Sequence, residues 1–239
     1  MLIFSTTILA GCVETSEEET FSPLSVDSWQ ITDTVGWWQF NEGAGYSASD
    51  SSNYDNDGIC DTPLWTPGIQ SFGLLFSSEN NDAVTIDDNP SLDFDDLAEG
   101  EGFMIDFWMQ NRNTSFIQTY VGLVSKQHKG GYMVAFTDKH RITFNIKSPN
   151  ASQTKSVKSN TIINDTLWHH VVAVWSGDTL YIYVDDMKNP DNSNHVGNFT
   201  IGDTSKWLDI GNDWPTDNKN PFDGKIDEVR ICRIKSSNS

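Results

Sequence analysis

The sequence predicts an all-β protein in which two antiparallel sheets pack face to face. Short runs of β-branched and aromatic residues recur along the chain, each bounded by Asn, Asp, Gly or Pro. No window carries a helical period over the ~10 residues that a helix needs. With no helices available, the apolar face of one sheet has only another sheet to pack against. In chain order the runs are "AVTI", "FMIDFWM", "YMVAF", "ITFNI", "HHVVAVW" and "LYIYV".

The clearest element is the hairpin "WHHVVAVWSGDTLYIYVDD". Trp168 to Trp175 and Leu180 to Val184 flank "SGDT", so the chain reverses on Gly177 and Asp178 and the two runs pair antiparallel. His169 and His170 are neighbours on a strand and point to opposite faces, which rules out a shared metal ion. Trp38, Trp108 and Trp168 sit inside apolar runs and are expected in the core.

At 239 residues the chain has the length of one such domain, since β-sandwiches run to roughly 200 residues as a single unit. The formal charge of -19 argues against nucleic acid or an anionic membrane surface as partner, because a phosphate binder needs a basic face. The first residues, "MLIFSTTILAGC", form an apolar run shorter than the ~20 residues that span a bilayer as a helix. They read as the end of an export signal, although the Lys or Arg that normally opens one is missing. Leu9-Ala10-Gly11-Cys12 resembles the lipobox of lipoprotein signal peptides. On that reading Cys12 receives a lipid, becomes the mature N-terminus and anchors an exported protein to a membrane or cell surface.

The expected organisation is therefore a signal over 1–12, an acidic Ser/Thr-rich tether over 13–34 and one β-domain over 35–235. Cys60 and Cys232 remain. They read equally as a disulfide closing a long loop or as two buried thiols, because connectivity does not follow from sequence.

The hairpin resembles the signature hairpin of laminin-G-like jelly rolls, in the concanavalin A-like lectin and glucanase superfamily. Other stretches fall in the family's order: "GWWQFNEGAG", "SDSSNYDNDGI", "WTPG", "NDAVTI", "PSLDF", "LVSK", "LDIGN" and the closing "PFDGKIDEVRICR". The resemblance covers Gly36 to Arg233. It implies a two-sheet antiparallel jelly-roll sandwich with the terminal strands side by side, and binding more often than catalysis.

Three candidate sites follow. Asp50 to Cys60, "DSSNYDNDGIC", is dense in oxygen ligands and imitates half an EF-hand loop, but the place of the bidentate Glu is taken by Leu64. Members of the resembled superfamily often hold a structural calcium where the terminal strands meet. That implies a calcium site of Asp50, Asn53, Asp57 and Asp227; the alternative is ordinary Asx turn chemistry. A glucanase site is expected to be absent, since the branch's Glu-x-Asp-x-x-Glu pattern does not occur and Asp227 and Glu228 point apart.

The best ligand surface is "TSKWLDIGNDWPTDNKNPF". There Trp207 and Trp214 offer rings for sugar faces, and Asn212, Asp213 and Asp217 offer groups for hydroxyls. The expected function is a non-enzymatic, surface-anchored module for a glycan or glycoprotein. The alternatives are an adhesion domain without sugar affinity and an accessory domain of a secreted enzyme system.

Overall fold

The computed structural model describes residues 29–80, 82–112, 120–137, 139–213 and 221–237. Strands are numbered in chain order. The first sheet runs β14 (Asn192–His195), β13 (Thr179–Val184), β12 (Trp168–Trp175), β7 (Glu101–Asn111), β16 (Gly224–Ser236), β5 (Phe72–Phe76), β4 (Leu64–Pro67), with β1 (Trp29–Trp38) also paired to β16. The second runs β11 (Thr154–Lys158), β10 (Ile142–Lys147), β9 (Gly131–Thr137), β8 (Tyr120–Ser125), β15 (Leu208–Ile210), β6 (Val84–Ile86), β3 (Gly58–Cys60), β2 (Ser47–Ala48). Every named pair is antiparallel, from β1 with β16 to β8 with β9. This is the expected all-β, two-sheet jelly-roll sandwich. Each run read as a strand from sequence is one, and the terminal strands lie side by side as the resemblance implied.

β1 starts at Trp29, inside the stretch expected as tether. "WQITDTV" alternates and pairs residue by residue with the end of β16, Trp29 opposite Ser236 and Ile31 opposite Ile234. Pairing with an otherwise open edge orders residues that composition alone assigns to a linker.

Alternation sorts the side chains. On β7, Phe103, Ile105, Phe107 and Met109 enter the core between the sheets, against Val134, Phe136 and Phe144 of the second sheet. Met104 instead points outward, where it joins Val172, Val174, Tyr183, Cys232 and Ile234 in a second buried cluster packed against Trp29, Ile31, Tyr181 and Met187. Trp29 and Tyr181 meet with ring centroids 5.6 Å apart, although β16, β7 and β12 lie between their strands. Strands sit roughly 4.8 Å apart. The sheet must therefore curl enough for two long side chains to close over it.

The tryptophans correct one expectation. Trp38 is fully buried, but Trp108 and Trp168 lie on the outward face. Trp108 stacks on His170 at 4.6 Å, and Trp168 lies under the Lys225 ammonium at 5.8 Å. Cys60 and Cys232 are free buried thiols. Cys60 belongs to the inter-sheet core and Cys232 to the outward cluster, so no bridge joins them. Burial pushes the Cys60 thiol up to about 12 and that of Cys232 up to about 11. Cys12 lies outside the described residues.

Candidate binding cleft

The opening loop is organised around one carboxylate. Asp50 Oδ1 accepts the N–H groups of Trp37 and Ser52, each at 2.8 Å. Its Oδ2 accepts Ser52 Oγ at 2.6 Å and the Asn56 N–H at 2.9 Å. Asp57 Oδ1 accepts the Asp50 N–H at 2.7 Å. These are the bonds of nested Asx turns.

Asp227 does not join them. A β-bulge lies between Asp227 and Arg230, and the Asp227 carboxylate faces the turn before β5. There its Oδ2 accepts the Ile69 N–H at 2.6 Å, and it lies so close that a Cβ on Gly68 would meet it at 2.3 Å. Burial first, then the charge of Glu228, pushes its pKa up to about 7. Asn53 is exposed. Calcium needs six to eight convergent oxygens, most of them unengaged. Among the described residues no three His, Cys, Asp or Glu side chains converge for a metal. The four residues do not fit the ion.

The second ligand surface is partly assembled. Trp207, Asn212 and Asp213 come together on the outward face of the second sheet; Trp214 and Asp217 lie outside the described residues. The register places Thr85, Asp209, Ser125, Met133, Asn145 and Ser156 in one row across that face. Asp209 is its hub. Its carboxylate accepts Trp207 Nε1 at 3.0 Å and Thr85 Oγ1 at 3.3 Å, with Lys206 Nζ at 3.2 Å. Asp213 accepts Ser125 Oγ at 2.9 Å. Asn212 is buried, and its carbonyl passes so close to Gly122 that a Cβ there would meet it at 2.4 Å. These polar groups are engaged in fastening the loop to the sheet. Burial, with Lys206 nearby, lowers the pKa of Lys147 on the same face.

The accessible concavity lies at one end of the sandwich, where sequence reasoning placed nothing. A cleft of about 820 Å³ opens between the start of β1, the loop before β7, the β12–β13 turn and the loop after β14. That volume falls in the ~300–1,000 Å³ range of small-ligand sites. One wall is the Trp29–Tyr181 pair. Another is Phe199, edge-on to Trp175 at 6.4 Å. Phe94 closes the floor, stacked on Phe103 at 4.1 Å.

The walls are fixed by strong contacts. Arg233 Nη2 donates to Asp96 at 2.8 Å and to the Asp93 carbonyl at 3.1 Å, holding the loop before β7. The fully buried Lys126 ammonium reaches Asp88 at 2.6 Å and Asp93 at 3.0 Å and donates to the Thr204 and Lys206 carbonyls. At the hairpin, Gly177 takes φ +94, a left-handed conformation that favours glycine. The Asp178 carbonyl accepts the N–H groups of Val196 and Gly197, tying the loop after β14 to the turn. Ser176 Oγ donates to the Asp178 carboxylate at 2.9 Å. Glu101 accepts the Ala98 N–H and pairs with Lys235 at 3.3 Å, which together hold its pKa below the usual carboxylate range. The arrangement offers aromatic faces with carboxylate, hydroxyl and amide groups around them. It suits reversible binding of a ligand with flat apolar faces and polar edges.

Comparison with known proteins agrees with the fold. Residues 78–237 match the family described as the concanavalin A-like lectin/glucanases superfamily. No curated protein matches the chain. Among solved structures, the binding domain of Paraclostridial Mosquitocidal Protein 1 is similar at 15% identity and a TM-score of 0.67, with 84% of this chain and 48% of that one covered. Domain 4 of AbnA, an extracellular arabinanase from Geobacillus stearothermophilus solved with arabinotriose, is similar at 12% identity and a TM-score of 0.64, over 87% and 96% of the two chains. The binding domain of botulinum neurotoxin DC, solved with rat synaptotagmin II, is similar at 16% identity and a TM-score of 0.62, over 88% and 48%. The chain thus spans about half the length of the two toxin domains. At these identities the likeness shows the fold.

Proposed function

Since the chain belongs to the concanavalin A-like lectin/glucanase superfamily, we propose that it is a non-catalytic binding module whose end cleft takes a glycan or the glycan of a glycoprotein. The observation that carries this is the cleft itself, about 820 Å³ with Trp29, Tyr181 and Phe199 among the residues that line it. Sugar rings bind by laying their C–H faces on aromatic side chains while fixed polar groups hold the hydroxyls. Domains of this fold solved with arabinotriose and with rat synaptotagmin II support a glycan or glycoprotein as partner. Fold alone does not carry function, so the reading rests on the site.

On the sequence, the module is exported and held at a membrane or cell surface through a lipid on Cys12. The test is isothermal titration of the protein with a panel of neutral, amino and sialylated oligosaccharides, repeated with Trp29→Ala and Tyr181→Ala. Binding in the wild type that both substitutions abolish supports the cleft as the site. Binding that survives both moves the site to the Trp207 face.

A further inference from the structure

Resting on that reading, the geometry points to a narrower ligand class: the cleft takes glycans that carry no carboxylate, sulfate or phosphate, and prefers those with free amino groups. The cleft comes first in the argument, and the charges then select among its ligands. Four carboxylates line it, Asp95, Glu99 and Glu101 from the loop before β7 and Asp178 from the β12–β13 turn. Of these, Glu101 pairs with Lys235, and Asp178 has the mostly exposed His195 ring at 3.7 Å; Arg233 lies 5.4 Å from the Phe94 ring and Lys155 5.9 Å from the Phe199 ring, at the floor and one wall. Asp95 and Glu99 make no ion pair among the described residues and stand exposed at the mouth.

The two unpaired carboxylates, Asp95 and Glu99, stand at the mouth beside low-dielectric aromatic walls, and in a chain of net charge -19 they focus a negative potential into the opening. An anionic sugar would lose its hydration there against like charge. A sugar bearing an ammonium finds both a carboxylate and the ring face of Trp29 or Tyr181, which attracts a cation through its quadrupole. A neutral sugar keeps the ring stacking and the hydroxyl contacts without the electrostatic gain.

The experiment is titration of the protein with glucosamine tetramer, N-acetylglucosamine tetramer and sialyllactose at low and at physiological ionic strength. The expected order is amino, then acetylated, with sialyllactose undetected. The amino tetramer should bind about tenfold tighter than the acetylated one at low salt, equivalent to ~1.4 kcal/mol, and the gap should narrow as salt screens it. Asp95→Asn combined with Glu99→Gln should close the gap between the amino and acetylated tetramers. Equal affinities for the amino and acetylated tetramers, or sialyllactose binding as well as either, would overturn the charge selection and leave the glycan reading standing. Amino-tetramer binding unaffected by both Tyr181→Ala and the double substitution would show diffuse attraction to an acidic protein and overturn the inference. Failure of all three sugars to bind would overturn the glycan reading itself.

Discussion

Arg230 Nη2 lies 2.8 Å from Asp106 Oδ2, strand to strand between β16 and β7 on the outward side of the first sheet. Both side chains are almost entirely buried. His170 Nε2 sits 2.6 Å from the other Asp106 oxygen, and the guanidinium lies 5.8 Å from the centre of the Trp37 ring. Removing one member of a buried pair strands the other, which costs roughly 3–5 kcal/mol. Arg230→Met and Asp106→Leu should each lower urea stability by that order. The double variant should recover much of the loss, because neither the guanidinium nor the carboxylate is then left unpaired; what remains lost is the partner of His170. A double variant as unstable as the two single losses added together would mean that the pair does not act as a unit.

Asp50 is the centre of its loop through the hydrogen bonds that it accepts. Bonds to a charged acceptor contribute a net of about 1.5–3 kcal/mol each when buried, and Asp50 is partly exposed, which reduces its share. Asp50→Ala is therefore expected to cost about 2–4 kcal/mol. Asn53→Ala should cost little. A thermal melt with EDTA and then with excess calcium should superimpose, because both Asp50 oxygens and one Asp57 oxygen are already engaged by N–H and O–H groups. A calcium-dependent rise of several degrees that Asp57→Ala abolishes would restore the metal reading.

The two thiols face different compartments of the fold, and both are pushed well above neutral pH by burial. A thiol reagent should label neither Cys60 nor Cys232 in the native protein at neutral pH and both after unfolding without reductant. Absence of labelling in the unfolded protein would show that they are bridged after all.

Much of the fold was legible because strand patterning is local. "FMIDFWM" and its counterparts each became a strand, and the Gly177-Asp178 reversal formed as read. The face assignment was less legible. Trp108 looked like core because apolar residues surround it, yet it shares the parity of Asp106, and that lone carboxylate was the signal that this side of β7 faces outward. The composition of "DSSNYDNDG" showed oxygens but not their users, which are N–H groups as far away in sequence as Trp37. The cleft was illegible for a different reason. Its walls come from Trp29, Phe94–Glu101, Trp175–Tyr181 and Asn198–Ile201, and only the sheet register brings these segments together.

Asp227 and His169 together predict a protein more stable on the acid side of neutrality. The Asp227 carboxyl, wholly buried, titrates at about 7 in the fold against ~3.9 in an unfolded chain. Below about pH 4 both states are protonated and nothing is lost. As pH rises toward 7 the unfolded chain ionises freely while the fold resists, so stability falls by an amount on the order of 4 kcal/mol and then levels.

His169 runs through a later window with the same slope. Asp185 at 2.8 Å and Asp165 at 2.9 Å hold its ring protonated, with Asp185 the larger cause and burial opposing, and its pKa rises to about 9. Its contribution is complete below ~6.5, the unfolded value, and disappears as pH climbs through 9. Both partners are about half exposed, so solvent screening reduces that contribution to roughly 1–2 kcal/mol. Urea midpoints should therefore fall from about pH 5 to about pH 9. Asp227→Asn should flatten the fall below pH ~7 and His169→Gln the fall above it. If Asp227→Asn leaves the lower part of the profile unchanged, the burial of that carboxylate does not set the pH response.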